Sequence, residues 1–294
     1  MLTNHKKEKV FTTMVRFMTI VVLFILVFII YFILKESLMI FQQVSLKDFI
    51  FGREWRPLSV NPRFGLFPII IGTLSLTSGA LIWALPFSIG TAIFISQVCP
   101  EQWRRGLRSL TDLMAGVPSV IYGFLGVVVL LPAIESIFGQ SSGDSLMAGI
   151  IVLGVMIMPF MISIIAESME SVVRPYIGVS KSLGVSKWYM IRRLVLPGAW
   201  KGIFAGVVLG TSRAMGETMA VMMVVGNSAL IPETLLDRIK PITSLIALEI
   251  GSAPVNSVHY HGIFGAGFVL LMVLLLINFA FYRIRRKISG EGSM

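Results

Sequence analysis

Residues 202–226 read GIFAGVVLGTSRAMGETMAVMMVVG. A helix needs roughly 20 apolar residues to cross a bilayer's ~30 Å of hydrocarbon, so this run is long enough to span. It nevertheless carries Arg213 and, four residues later, Glu217. An ionised group at the bilayer centre costs roughly 2.5–3.5 kcal/mol on insertion scales. Something in the fold has to offset that cost: a partner, or water.

The whole chain has the same character. Its 294 residues are 55% hydrophobic and 14% charged, with a mean hydropathy of +0.86. Soluble domains run about 25% charged, so the composition is that of an integral membrane protein. Six runs meet the spanning length: 17–34, 66–96, 111–133, 146–167, 202–226 and 263–282. The second is overlong for a straight span and contains Pro86, which predicts a kink, a tilt or a protruding end. The expected fold is all-α and polytopic, with about six transmembrane helices. The basic N-terminus precedes an apolar run too long for a usual signal peptide and without a small-residue cleavage site, so that run reads as a span.

The net charge of +10 reports topology before it reports partners. With the N-terminus inside, 17 of the 25 Lys and Arg lie on the inner side and seven outside. That excess places both termini in the cytoplasm. No basic soluble domain is present to hold nucleic acid. The single Cys99 rules out a disulfide framework or a Cys-based metal site within the chain. HExxH, a Ser–His–Asp set and the GxxxxGK[ST] phosphate loop are all missing, so neither catalysis nor ATP binding in that mode is expected of this chain. His259 and His261, either side of Tyr260, read as packing residues.

Segment 168–201 is unusually long for a loop between spans. Gly184 divides it, Ser186 is placed to cap a helix, and Pro197 follows the last turn. Val185, Trp188, Ile191 and Val195 recur at helical spacing. Periodicity alone leaves two readings open: a helix lying on the membrane surface, or a docking element for a cytoplasmic partner.

Three readings of Arg213 and Glu217 are also open. On one helix they stand about a turn apart, yet an exposed pair in this order contributes only a few tenths of a kcal/mol. They are a structural ion pair, or they face a water-filled path, or Arg213 contacts an anion on that path while Glu217 holds it. An arginine fork matches two oxygens of an oxyanion, which favours the last two readings together. Gly206, Gly210 and Gly216 permit close helix approach around the pair. Ser212, Thr211 and Thr218 offer neutral donors, although hydroxyls in such helices commonly bond their own backbone. Thr243 and Ser244 fall in an apolar stretch too short to span, expected as a re-entrant or surface helix near the mouth of the path.

Gly178 to Pro197 resembles the coupling loop of ABC importer permeases, whose pattern is Glu-Ala-Ala, three residues, Gly, nine residues, Ile, one residue, Leu-Pro. Gly184 and Leu196-Pro197 fit, and Leu194 stands at the Ile. Gly178, Val179 and Ser180 occupy the Glu-Ala-Ala positions, so the acidic residue is missing. The stretches FGLFPIIIGTLSLT, GVPSVIYGFLG, GETMAVMMVVGN, ITSLIALEIG and HYHGIFGAGFVLL resemble, in order, PstC-type permeases of the phosphate-specific ABC importer. The resemblance covers roughly residues 50–282 and implies the type I importer permease fold. It divides the chain into an N-terminal helix with an external loop (1–65) and a permease core (66–287) carrying coupling loop 168–201. It implies a heterodimer with a PstA-type permease, two cytoplasmic ATPase subunits that hydrolyse ATP, and an extracytoplasmic phosphate-binding protein. No cofactor is expected on this chain. Inorganic phosphate would pass Arg213, Glu217, Ser212, Thr218, Thr243 and Ser244. Gly178, Ser180, Gly184, Trp188, Arg192, Leu196 and Pro197 would face the ATPase. The rivals are an importer of sulfate or molybdate and an ATP-independent anion channel or carrier.

Overall fold

The computed structural model describes residues 2–288. Helix α1 (Leu2–Ile40) is followed by a short α2 (Leu46–Phe51) and an antiparallel pair, β1 (Trp55–Arg56) and β2 (Arg63–Phe64). Then come α3 (Phe67–Ile93), α4 (Glu101–Gly116), α5 (Ser119–Leu125), α6 (Leu131–Phe138) and α7 (Leu146–Val173). The second half holds α8 (Ile177–Ser182), α9 (Lys187–Met190), α10 (Leu196–Gly198), α11 (Trp200–Gly216), α12 (Met219–Met222), α13 (Ile242–Glu249) and α14 (Val258–Ile288).

Five of these stretches are long and apolar enough to cross a membrane. A sixth is a bent pair, Lys187–Gly198 with Trp200–Gly216, broken by 59°. The six-span expectation holds in number, and two of its boundaries need correction. Residues 111–116, expected to begin the third span, instead finish the polar helix α4. Val117 is extended (φ −65, ψ 130) because a residue before proline is driven out of the helical region, here by Pro118. The Tyr122 hydroxyl donates to the Met114 carbonyl at 2.8 Å across this break. Residues 202–226 are not one continuous helix either: α11 stops at Gly216, and Glu217 is extended (φ −72, ψ 135).

Prolines shape the spans in another way. Three π turns, Phe94–Val98, Gly126–Leu130 and Ile191–Val195, each end two residues before a proline: Pro100, Pro132 and Pro197. A proline has no N–H, and its ring crowds the carbonyl four residues back. In each case the residue just before the proline donates its N–H five residues back: Cys99 to Phe94, Leu131 to Gly126, Leu196 to Ile191. The widened turn gives the ring room without abandoning the helix. Pro86 and Pro159, by contrast, lie inside α3 and α7, which continue through them.

Helix α7 is the axis of the bundle and packs on α3, α11 and α4. Leu153, Ile157, Met161, Ile165 and Met169 on it are fully sealed and share one apolar core with α3, Ile191, Val195 and α12. A second core lies around α13 and α14. There Ile40, Phe49, Trp55, Phe64 and Leu66 pack against Ile242, Leu245, Ile263 and Ala266. Helix α1 otherwise touches mainly α14, for example through Phe32 edge-on to Phe264 at 5.4 Å. Its remaining apolar side chains face outward all round, as on a span bathed in lipid.

Where α5 crosses α12 the approach is tight. A Cβ on Gly123 would lie 2.8 Å from the Ala220 Cα and 3.1 Å from its carbonyl oxygen. Backbone cannot swing aside as a side chain can. Gly123→Val is therefore expected to destabilise the protein by about 1–3 kcal/mol, the usual penalty of overpacking. Gly106→Ala, in open space on α4, should be neutral or slightly stabilising. Thermal unfolding of the two variants in detergent checks the contrast.

Candidate functional site: the break after helix α11

The break at Gly216 is built by tertiary contacts. The Thr243 hydroxyl on α13 donates to the Glu217 carbonyl at 2.8 Å. The Glu217 carboxylate accepts from the Ala220 N–H at 3.2 Å, which caps α12. Thr218 turns its hydroxyl back to the Gly216 carbonyl at 3.4 Å. Glu217 thus has its side chain committed to α12 and its carbonyl to α13.

Arg213 sits one turn before the break and is exposed. Its guanidinium lies over the Phe160 ring of α7, 3.9 Å from the centroid. Among the described residues no carboxylate pairs with it. This corrects the expected arrangement: Arg213 and Glu217 do not share a helical face, because the helix ends between them, and Phe160 holds the arginine where Glu217 was expected to. Among the described residues Arg213 and Glu217 form no ion pair. An unpaired, exposed guanidinium on an aromatic shelf keeps its five donors free for an anion.

The neutral candidates divide. Thr211 and Ser212 bond the Val207 and Val208 carbonyls at 2.7 and 3.0 Å. Ser212 also reaches the Asn278 Oδ1 at 3.4 Å. Thr243 is spent on Glu217, and Ser244 is fully buried with no partner for its hydroxyl among the described residues. The short helix α13 is tucked in at its first turn rather than lying on the surface, with Ile242 to Leu245 all buried.

At the far end, the coupling segment forms α8, a turn at Gly184 (φ +64), and α9. Ser186 caps α9, accepting from the Tyr189 N–H at 3.3 Å. Ile191 and Val195 are pulled into the core, whereas Trp188 is left 69% exposed. Ser180 is half-buried; Gly178, Arg192 and Pro197 are exposed, and Leu196 half-buried. The segment therefore presents an indole outward from a base anchored in the bundle.

The end of α13 carries a buried ionic knot. Glu249 accepts from Trp55 Nε1 at 2.9 Å and from Lys240 Nζ at 2.5 Å, and lies 2.8 Å from His259 Nε2. Burial pushes the Glu249 carboxyl upward in pKa, but the hydrogen bonds from Lys240, Trp55 and His259 outweigh it and hold the group below the usual glutamate range. His261 Nδ1 stands 3.1 Å from Glu36 Oε2 and ties α14 to α1. Both histidines thus serve packing through carboxylates.

Apolar spans around α7, a broken helix with a free arginine, and an anchored segment with an outward indole define a multi-pass membrane permease. The chain belongs to the family of binding-protein-dependent transport system inner membrane components, whose model matches residues 84–289. It is 36% identical over 248 residues to YqgH of Bacillus subtilis, described as a probable ABC transporter permease, covering 84% of this chain and 79% of that one. It is 31% identical over 266 residues to the phosphate transport system permease PstC of Mesorhizobium japonicum, covering 84% and 80%. Its fold matches a bacterial ABC transporter involved in import of the acidic polysaccharide alginate, with a TM-score of 0.54 and 19% identity over 87% of this chain and 96% of that one. The protein is an ABC importer permease of the type I fold, a transport subunit that works with an ATPase and a substrate-binding protein.

Phe160 and Asn278 escaped the sequence reading. Asn278 carried a signal, a lone amide in the run LLLINFAF, where polar groups in a span mark contacts. Phe160 carried none.

Proposed function

We propose that this chain forms half of the membrane pathway of an ATP-driven phosphate importer, with a PstA-type permease as the other half. Two ATPase subunits dock below on the segment 178–197, and a phosphate-binding protein delivers from outside. Both termini lie in the cytoplasm. The chain holds no cofactor, and ATP is hydrolysed by its partners. The observation that carries the reading is Arg213: exposed, unpaired, and presented at the end of a broken helix inside an otherwise apolar span. The PstC relatives supply the substrate class.

Phosphate meets the Arg213 fork, and the polar backbone of the Gly216–Thr218 break keeps the path wet. A cation that, among the described residues, is held only by a ring binds an anion without trapping it, as conduction requires. ATP binding closes the ATPase pair, and the anchored base at Ile191 and Val195 passes that motion to α11 through the bend at Ala199.

Trp188→Ala is expected to weaken ATPase docking at least about tenfold, in keeping with ~2 kcal/mol or more for an aromatic anchor. Co-purification of the ATPase with the variant checks it. The substrate is tested by uptake of labelled phosphate in competition with sulfate and molybdate. Unlabelled phosphate alone should compete; strong competition by sulfate or molybdate would transfer the reading to another oxyanion.

A further inference from the structure

A cavity of about 550 Å³ opens at the coupling-segment end of the bundle, and Arg213 is not among the residues that line it. Its walls come from four places: Gln97 in the π turn after α3, Arg104 on α4, Glu170 and Arg174 at the end of α7, and Ser180 and Lys187 of the coupling segment. The charge is one-sided. Glu170 is the sole carboxylate among these lining residues, and Arg108 pairs with it from outside the lining. Among the described residues no carboxylate pairs with Arg104, Arg174 or Lys187.

The walls also hold polar capacity that the protein leaves unused. Gln97 is only 6% exposed, and its amide makes no hydrogen bond among the described residues. Arg104 donates through Nη2 to the Cys99 carbonyl at 3.3 Å, while its Nε is buried without a partner. Glu170 Oε1 in the same lining is also buried and, its ion pair with Arg108 apart, without a hydrogen-bond partner among the described residues, so it is the excess of three cations over one carboxylate that points to an anionic occupant. Two guanidinia and an ammonium answer the charge of a phosphate group, and arginine forks match its oxygens. The volume lies within the range of small-ligand pockets.

We propose that this cavity is a second anion site, which takes a phosphate group as either inorganic phosphate or the headgroup of an anionic phospholipid. Helices α3 and α4 already pack on α7, so what the occupant adds is a bridge from the coupling segment to them. A ligand that prefers the bridged arrangement shifts the segment toward it. The inference rests on the proposed function only for the side of the membrane from which the cavity fills.

The test uses the assembled, delipidated complex without the binding protein. Equilibrium binding of labelled inorganic phosphate is measured for the native chain, for Arg174→Gln with Lys187→Gln, and for Arg213→Ala. In parallel, native mass spectrometry follows retention of added phosphatidylglycerol. The expected result is binding of one of the two probes that survives Arg213→Ala and weakens at least tenfold in the double variant. Phosphate binding with that pattern assigns the free ion; lipid retention with that pattern assigns the headgroup. Equal binding of both probes by native chain and double variant overturns the proposal, as does phosphate binding lost only with Arg213. Both cavity residues replaced are at the rim, and co-purification of the ATPase verifies assembly; Arg174→Gln alone serves if the pair does not assemble. A complex that imports phosphate but fails this test loses the second site alone. One that passes it but imports another anion loses the proposed substrate alone.

Discussion

Arg213→Ala is expected to lower phosphate uptake by at least about 100-fold while the chain still assembles with its partners. The structural contribution of the side chain is small: one contact with Phe160, of a kind worth about 0.5–1 kcal/mol at exposed sites. Its loss as an anion contact is larger, because hydrogen bonds to charged groups contribute about 1.5–3 kcal/mol each and the fork makes two. Arg213→Lys keeps the charge and loses the fork, so an intermediate rate is expected. Phe160→Leu leaves the arginine chemically intact but unseated, and should also fall between the native chain and Arg213→Ala. Uptake rates compared with yields of assembled complex separate transport from architecture. Loss of assembly in Arg213→Ala would return the residue to a structural role.

Glu249→Ala should produce the largest loss of stability among single changes around α13, about 3–5 kcal/mol. Lys240 and Glu249 have side chains only 13% and 15% exposed, and removing one member of a buried pair leaves the other charge unpaired. The change also strips the acceptor from Trp55 and the partner from His259, so hairpin β1–β2, α13 and α14 loosen together. The pH dependence follows from the depressed carboxyl. Its folded pKa lies below the ordinary 4.5, so the stabilisation is complete above about that pH and is lost as pH falls through the folded value. Unfolding temperature should therefore decline below pH 4.5 in the native protein and decline less steeply in Glu249→Ala.

Much of the architecture was legible because membrane spans announce themselves by length and composition. The turn at Gly184 and the Ser186 cap were legible too, as local signals acting within a few residues; the end expected before Pro197 was not, since the helix runs through that proline to Gly198. Nor was the end of α11. Nothing in MGET forbids a helix, and the break depends on Thr243, 26 residues away, and on a carboxylate that caps the next helix. A four-residue spacing therefore suggested a pair that the backbone does not form. The Glu249 knot draws on Trp55, Lys240 and His259, which no periodicity connects. The prolines were visible, but their chief effect, widening the turn just before them, lies in backbone hydrogen bonding that residue types alone do not display.

The central claim is that this permease moves phosphate only when ATP drives it through its partners. The direct measurement is labelled phosphate uptake into proteoliposomes holding this chain, its sister permease, the ATPase and the binding protein, with and without ATP inside the coupled compartment. Uptake that requires both ATP and the binding protein is the predicted result. Phosphate accumulating at the same rate without ATP would contradict the account and make the chain a channel or carrier.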